Sequence, residues 1–336
     1  MDDEKGVAMR RVAYILLCAG MIVAAFSGCK SKYTGIIKET KPRTYATKEV
    51  QTDESGQEVY VGSVVGTLDG TTLTFKGDGT IEGKHEEEVS EWQTTVGDLT
   101  KVETVVIEEG VVGIGDSAFA LCTNLKSVTI PKSVTVIGKN AFKNCKLIEE
   151  VTIPGSVKFI DNMAFMSCTG ITKVTLEDGI EKLGNNIFAG CTGLTEIVIP
   201  NSVTVIGTYA FTGCKELKNV TLPNTIDKLD RGVFSACEAL ETLELPDSLT
   251  TLATDVFKNC KSLKTLVLPD KCTMISAAVF SGCESLESLT IPPSVVTIGE
   301  KQFEDVPENF VVYGEAGSYA EQYIKAYPSP RTFVAQ

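Results

Sequence analysis

From about residue 100 onward, apolar positions return in a fixed phase. Phe119, Phe142, Phe165, Phe188, Phe211, Phe234, Phe257, Phe280 and Phe303 stand 23 residues apart without a slip. Three residues after each of the first eight comes a cysteine: Cys122, Cys145, Cys168, Cys191, Cys214, Cys237, Cys260 and Cys283. Three further on lies Leu125, Ile148, Ile171, Leu194, Leu217, Leu240, Leu263 or Leu286. Columns held in register over so many periods identify an internal repeat, and the period sets the size of its structural unit. Within each unit a run such as Val128-Thr129-Ile130, Val220-Thr221-Leu222 or Leu289-Thr290-Ile291 alternates apolar and polar positions, which predicts a short half-buried strand. Proline follows at 131, 154, 200, 223, 246, 269 and 292, with Glu177 in its place once. Lacking an N–H, proline ends the strand and turns the chain. An apolar pair such as Val134 and Ile137 comes next, often followed by a glycine such as Gly138, Gly184, Gly207 or Gly299. The Ala-Phe-x-x-Cys segment then sets Phe and Cys one helical or 3-10 turn apart. A unit of this size cannot bury its own apolar face, so neighbours must stack on it. The predicted fold is an α/β solenoid with a parallel β-sheet on one face and short helical or 3-10 turns on the other.

The unit Leu-x-x-Val-x-Ile-Pro-x-Ser-Val-x-x-Ile-Gly-x-x-Ala-Phe-x-x-Cys, read from Leu125 to Cys145, resembles the leucine-rich repeat of bacterial BspA-like surface proteins. The resemblance spans about residues 64–327. Gly66-Thr67-Leu68 through Gly77-Asp78-Gly79 with Trp92, then Val105 to Gly110, resembles the small N-terminal β cap of such arrays. Tyr313 to Ala320 followed by Tyr323 resembles their helical C-terminal cap. Caps are needed because a bare terminal repeat would expose its apolar face to water. The likeness implies a leucine-rich repeat array with a cell-surface binding or adhesion role and no catalysis.

Ahead of the array, Arg10 and Arg11 precede an uncharged, mostly apolar run from Val12 to Phe26. That run is short for a membrane span, which needs about 20 apolar residues, and fits an export signal. Phe26-Ser27-Gly28-Cys29 resembles the lipobox of bacterial lipoproteins, with Phe26 where Leu is usual. The resemblance makes Cys29 the lipidation site; the alternative is an ordinary signal peptide with an incidental cysteine. Two or more acyl chains would give a stable anchor, whereas one holds only marginally. Lys30 to Val59 is rich in Lys, Thr, Glu and Gly, which reads as a flexible tether or as a loosely ordered start to the first domain. The resulting division is a signal over 1–28, tether 29–60, β cap 61–100, repeats 101–312 and C-terminal cap 313–336.

Charge narrows the choice of partners. The formal net charge of −13 argues against nucleic acid, since phosphate backbones require clustered Lys and Arg. A single histidine, His85, nearly excludes a Ser-His-Asp hydrolase and leaves little for a metal site. His85-Glu86-Glu87-Glu88 reads as a solvated loop, and Gly77-Asp78-Gly79 as a hairpin turn rather than a phosphate cradle. Neither cofactor nor metal is expected. Of the eleven cysteines, eight belong to the repeat column, Cys18 lies in the signal, Cys29 is the lipidation candidate, and Cys272 has no assigned role. Stacked turns about 4.8 Å apart come within disulfide range, but their parallel Cβ vectors do not converge. The column is therefore expected to consist of small buried hydrophobes whose S–H groups reach backbone carbonyls.

Strand alternation leaves two stripes facing solvent. The central one is Thr129, Thr152, Thr175, Val198, Thr221, Glu244, Val267 and Thr290; the flanking one is Ser127, Glu150, Lys173, Glu196, Asn219, Thr242, Thr265 and Ser288. Thr129, Thr152, Thr175, Thr221, Glu244 and Thr290, with Glu150, Lys173 and Glu196, form the candidate binding face. The same residues also suit a merely solvated β surface. No aromatic interrupts either stripe, so stacking on sugars is not indicated there. The partners expected are a protein or glycan on host, matrix or neighbouring cells, and the membrane through the lipid anchor. A structural or assembly component of the bacterial envelope that contacts other lipoproteins is the alternative. The location expected is extracytoplasmic, at the cell surface. Oligomeric state stays open, with a monomer as the simplest case.

Overall fold

The computed structural model describes residues 57–61, 64–83, 90–327 and 331–336. Cys18, the lipobox with Cys29, the apolar run before it and His85 lie outside the described residues. Among the described residues no helix is long and apolar enough to cross a membrane.

The chain winds as a β-solenoid carrying two rows of parallel strands. The first row holds the strands read from the sequence, among them Ser127–Thr129, Glu150–Ile153, Lys173–Leu176, Glu196–Val198 and Asn219–Thr221. Adjacent turns pair in parallel one repeat apart, as Glu150 with Lys173 and Glu196 with Asn219. Among the described residues the ladder is interrupted between Ser127–Thr129 and Glu150–Ile153 and again after Asn219–Thr221, where a single bridge, Thr242 to Thr265, precedes the next strands. It resumes in Thr265–Val267, Ser288–Ile291, Val311–Gly314 and Thr332–Ala335. The second row is made of two-residue strands such as Val136–Ile137, Phe159–Ile160, Lys182–Leu183 and Val205–Ile206. The pair Val134 and Ile137 is thus split: Val134 sits in the proline turn and Ile137 points inward from this second sheet.

The Phe-to-Cys segment contains the single 3-10-type turn anticipated from its spacing: Cys145 N–H donates to the Phe142 carbonyl at 3.1 Å, as does Cys122 to Phe119 at 3.0 Å. These turns never join into a helix. Backbone φ is positive two residues before each Phe, at Ser117, Asn140, Met163, Asn186, Tyr209, Gly232, Asp255, Ala278 and Lys301. It is positive again two residues after, at Asn144, Ser167, Gly190, Gly213, Ala236, Asn259, Gly282 and Asp305. Left-handed residues cannot propagate a right-handed helix. The N–H groups of this segment instead run along the array: left-handed Asn140 and Asn144, and Phe142 between them, donate to Asn162, Met166 and Ala164 of the next turn at 3.0, 2.9 and 2.8 Å. The solenoid therefore has a third ladder where a helix would otherwise form.

Inside, the phenylalanines stack. Ring centroids from Phe119 to Phe280 lie 5.0–6.2 Å apart with interplanar angles of 19° or less. At the N-terminal end Phe75 and Trp92 pack on Phe119, with centroids at 5.7 and 5.8 Å. They come from an antiparallel meander, Gln57–Val61, Val64–Asp69 and Thr72–Gly77, and from the helix Glu91–Val96. Gln57–Val61 extends this cap into residues assigned by sequence to the tether. At the other end a helix, Tyr319–Ala326, begins at Ser318, whose hydroxyl caps the Glu321 N–H.

Cys272 takes the inward apolar position of its proline turn, equivalent to Val134, Val157 and Val203, and is fully buried. Nine cysteines among the described residues are free and buried. From Cys145 to Cys283 each column thiol donates to the Phe carbonyl of the preceding turn at 3.1–3.3 Å, as the sequence reading anticipated.

Candidate binding face

The first row presents its outer residues along one side of the solenoid, and among the described residues its hydrogen-bonded ladder is unbroken from Glu150–Ile153 to Asn219–Thr221. Thr129, Thr152, Thr175, Thr221 and Glu244 are exposed, as are Glu150, Lys173 and Glu196. Thr290 is half-buried, and in register it lies between Val267 and Tyr313. Registration is strict over the middle of the array: Glu150, Lys173, Glu196 and Asn219 succeed one another as Cα partners, and Thr152 lies opposite Thr175. The structure thus brings the middle of the candidate set into one row of alternating charge beside one row of hydroxyls. Glu244 stands apart, in the stretch where the ladder is a single bridge.

Two members of the central stripe are apolar. Val198 and Val267 are 61% and 64% exposed, so the hydroxyl row carries isolated apolar points that desolvate at little cost. Along the margin Lys126 pairs with Glu103 at 2.9 Å and Lys264 with Glu241 at 2.7 Å, each linking adjacent turns. The Lys264 ammonium holds the Glu241 carboxyl below its ordinary value. Both pairs are solvated and contribute little to stability; they fix the local charge pattern.

Residues beyond the candidate set also reach solvent. On the second sheet Val136 and Phe159 are adjacent Cα partners and are 41% and 38% exposed. The two-residue alternation Phe159-out, Ile160-in carries that signal, but such a short run has too few periods to be read as a strand. The serine of the Pro-x-Ser-Val turn has a structural role: Ser133, Ser156 and Ser294 hydroxyls donate to the carbonyls of Val111, Val134 and Cys272 at 2.7 Å. Among the described residues, no group of three or more His, Cys, Asp or Glu could hold a metal.

Six copies of the BspA type leucine rich repeat region match the chain, over residues 97–211 and 181–308. The chain belongs to the BspA-type leucine-rich repeat family. A leucine-rich repeat protein from Bacteroides ovatus shares 26% identity with this BspA-type chain, with a TM-score of 0.54 over 79% of this chain and 70% of that one. The T. pallidum leucine rich repeat protein is 24% identical, with a TM-score of 0.45 over 71% and 91% of the two chains. A leucine rich cell surface protein from Faecalibacterium prausnitzii is 19% identical, with a TM-score of 0.29 over 83% and 98%. No curated protein matches the chain significantly.

Proposed function

We propose that this BspA-type chain is a non-catalytic binding protein of the bacterial cell surface, lipid-anchored through Cys29 and engaging an extended protein or glycan along its first sheet. The observation that carries this reading is the registered row Glu150–Lys173–Glu196–Asn219 beside Thr152–Thr175 and Val198–Thr221. Side chains on a parallel sheet repeat about every 4.8 Å, so a partner with its own repeating contacts can engage many at once. Alternating charge sets the register of such a partner, while the exposed valines add apolar contact. The residues between Cys29 and the first cap strand would act as a spacer.

The test uses intact cells expressing the full chain. Proximity labelling should mark surface or matrix molecules for the native protein, and a Lys173→Glu, Val198→Asp double variant should lose them while still fractionating with membranes. A Cys29→Ala variant should leave the membrane fraction. Labelling unchanged by the double variant would remove the first sheet as the binding face. Labelling confined to other envelope lipoproteins would replace adhesion by envelope assembly.

A further inference from the structure

Beyond Phe280 the regular stacking gives way to a cluster of aromatic side chains. Phe303 meets Phe310, Tyr327 and Tyr323 with centroids at 4.7, 5.3 and 6.3 Å. Tyr323 and Tyr327 project from the C-terminal helix and its cap across the last turn of the array. Between them and that turn lies an open cleft of ≈ 560 Å³, rimmed by Glu300, Lys301 and Glu304 with Arg331 in its wall. The walls are fixed by hydrogen bonds. Tyr323 Oη donates to the Gly299 carbonyl at 2.9 Å, and the Phe303 N–H donates to Tyr327 Oη at 3.3 Å. Arg331 lies over Phe310 and Tyr327, 5.6 and 5.9 Å from their centroids, and its Nη2 donates to the Phe303 carbonyl at 3.4 Å. Its Nε and Nη1 are buried and have no hydrogen-bond partner among the described residues, so one hydrogen bond and the two ring faces hold this guanidinium in the wall.

The volume of the cleft falls within the ~300–1,000 Å³ of small-molecule sites. Its chemistry is specific. Two tyrosine rings give flat apolar surfaces, and exposed carboxylates and an ammonium stand at the mouth. The two acids and two bases balance, which disfavours a phosphate or another strongly charged ligand. An apolar peptide would cover the rim charges without satisfying them, at high desolvation cost. A sugar ring matches both parts: its C–H face lies against an aromatic ring, and its hydroxyls donate to carboxylates in charge-assisted hydrogen bonds.

We propose that this C-terminal cleft binds a neutral saccharide, one pyranose ring stacking on Tyr323 or Tyr327 with its hydroxyls held by Glu300 and Glu304. The site is separate from the first sheet, so it stands or falls independently of the reading given above. Saturation-transfer NMR on the full chain, with the methyl glycosides of glucose, galactose and N-acetylglucosamine as probes, tests it. At least one probe should take up saturation on its ring protons and show the upfield shift of protons above an aromatic face. A Glu300→Ala, Glu304→Ala double variant, altered only at exposed side chains, should weaken binding about tenfold or more. The first-sheet Lys173→Glu, Val198→Asp variant should bind as the native chain does. Absence of saturation for every probe would overturn the proposal. So would binding unchanged by the cleft variant, or binding lost in the first-sheet variant.

Discussion

The Phe119 carbonyl accepts two hydrogen bonds, one from the Cys122 N–H at 3.0 Å and one from the Cys145 thiol at 3.3 Å. A carbonyl has two lone pairs, and the second would otherwise be buried without a donor. Cysteine suits the position because it fills space as a small hydrophobe while offering a weak S–H. A serine there would carry a larger desolvation cost, and an alanine would leave both a gap and the lone pair. Burial also makes the thiolate unfavourable: the thiols of Cys122, Cys168, Cys214 and Cys283 are pushed up to about 12 from an ordinary 9.0. The folded chain holds these protons more tightly than the unfolded chain. Their contribution to stability is therefore complete below pH 9.0 and is lost as pH rises from there toward about 12. The melting temperature of the reduced protein should fall more steeply above pH 9 than that of a Cys168→Ala, Cys214→Ala variant. Equal slopes would show that the column does not couple to proton binding.

Single elements show which features of the sequence carried structural information. The first-row strands were legible because alternation over three or four positions, closed by proline, is strong. The inward Phe, Cys and Leu columns were legible because large apolar groups cannot be moved without opening a cavity. The second row was not, since Val136–Ile137 or Lys182–Leu183 offers only one inward residue each. The left-handed columns were also invisible: Asn140, Met163, Tyr209, Asp255 and Lys301 share a conformation but no chemistry. Asn140, Met163, Tyr209 and Asp255 are held by the N–H bond to the next turn, which composition does not report. The candidate strip was legible from alternation alone, whereas the aromatic cleft was not, because Glu300 and Tyr327 belong to different structural units. One departure from the repeat does have a sequence signature. Where Glu177 replaces proline the turn reads Glu177-Asp178-Gly179, as Glu108-Glu109-Gly110 does at the N-terminal cap, and both glycines have positive φ, 114° and 107°. Gly179 N–H donates to the Ser202 hydroxyl at 2.8 Å, and a Cβ on Gly179 would lie 2.4 Å from the Gly155 carbonyl oxygen. Gly179→Ala should therefore destabilise by about 1–2 kcal/mol from conformation alone, and by more once the neighbouring backbone has to move. Chemical denaturation measures the loss. A change within a few tenths of a kcal/mol would mean that the turn adapts freely.

At the scale of the whole array, each turn touches only its neighbours, so stability is a sum of local terms and nearest-neighbour interfaces. The aromatic spine makes those interfaces nearly identical from Phe119 to Phe280, while the two ends differ. Trp92, the single tryptophan, sits at the N-terminal end with its ring 5.8 Å from Phe119, and its Nε1 donates to the Glu82 carbonyl at 2.7 Å. Its fluorescence therefore reports that end alone, whereas far-UV circular dichroism reports all turns together. In the native chain, like interfaces should unfold as one unit, with the two signals sharing a midpoint. Phe280→Ala removes a buried ring stacked 6.2 Å from Phe257 and should cost about 3–5 kcal/mol. That loss falls on the interfaces near the C-terminal cap and leaves those around Trp92 intact. Denaturation should then separate the signals: part of the dichroism is lost at lower denaturant, and the Trp92 transition stays near its native midpoint. Phe142→Ala, next to the N-terminal cap, should instead move the Trp92 transition itself. If Trp92 followed the dichroism in Phe280→Ala, the array would be coupled beyond its nearest neighbours.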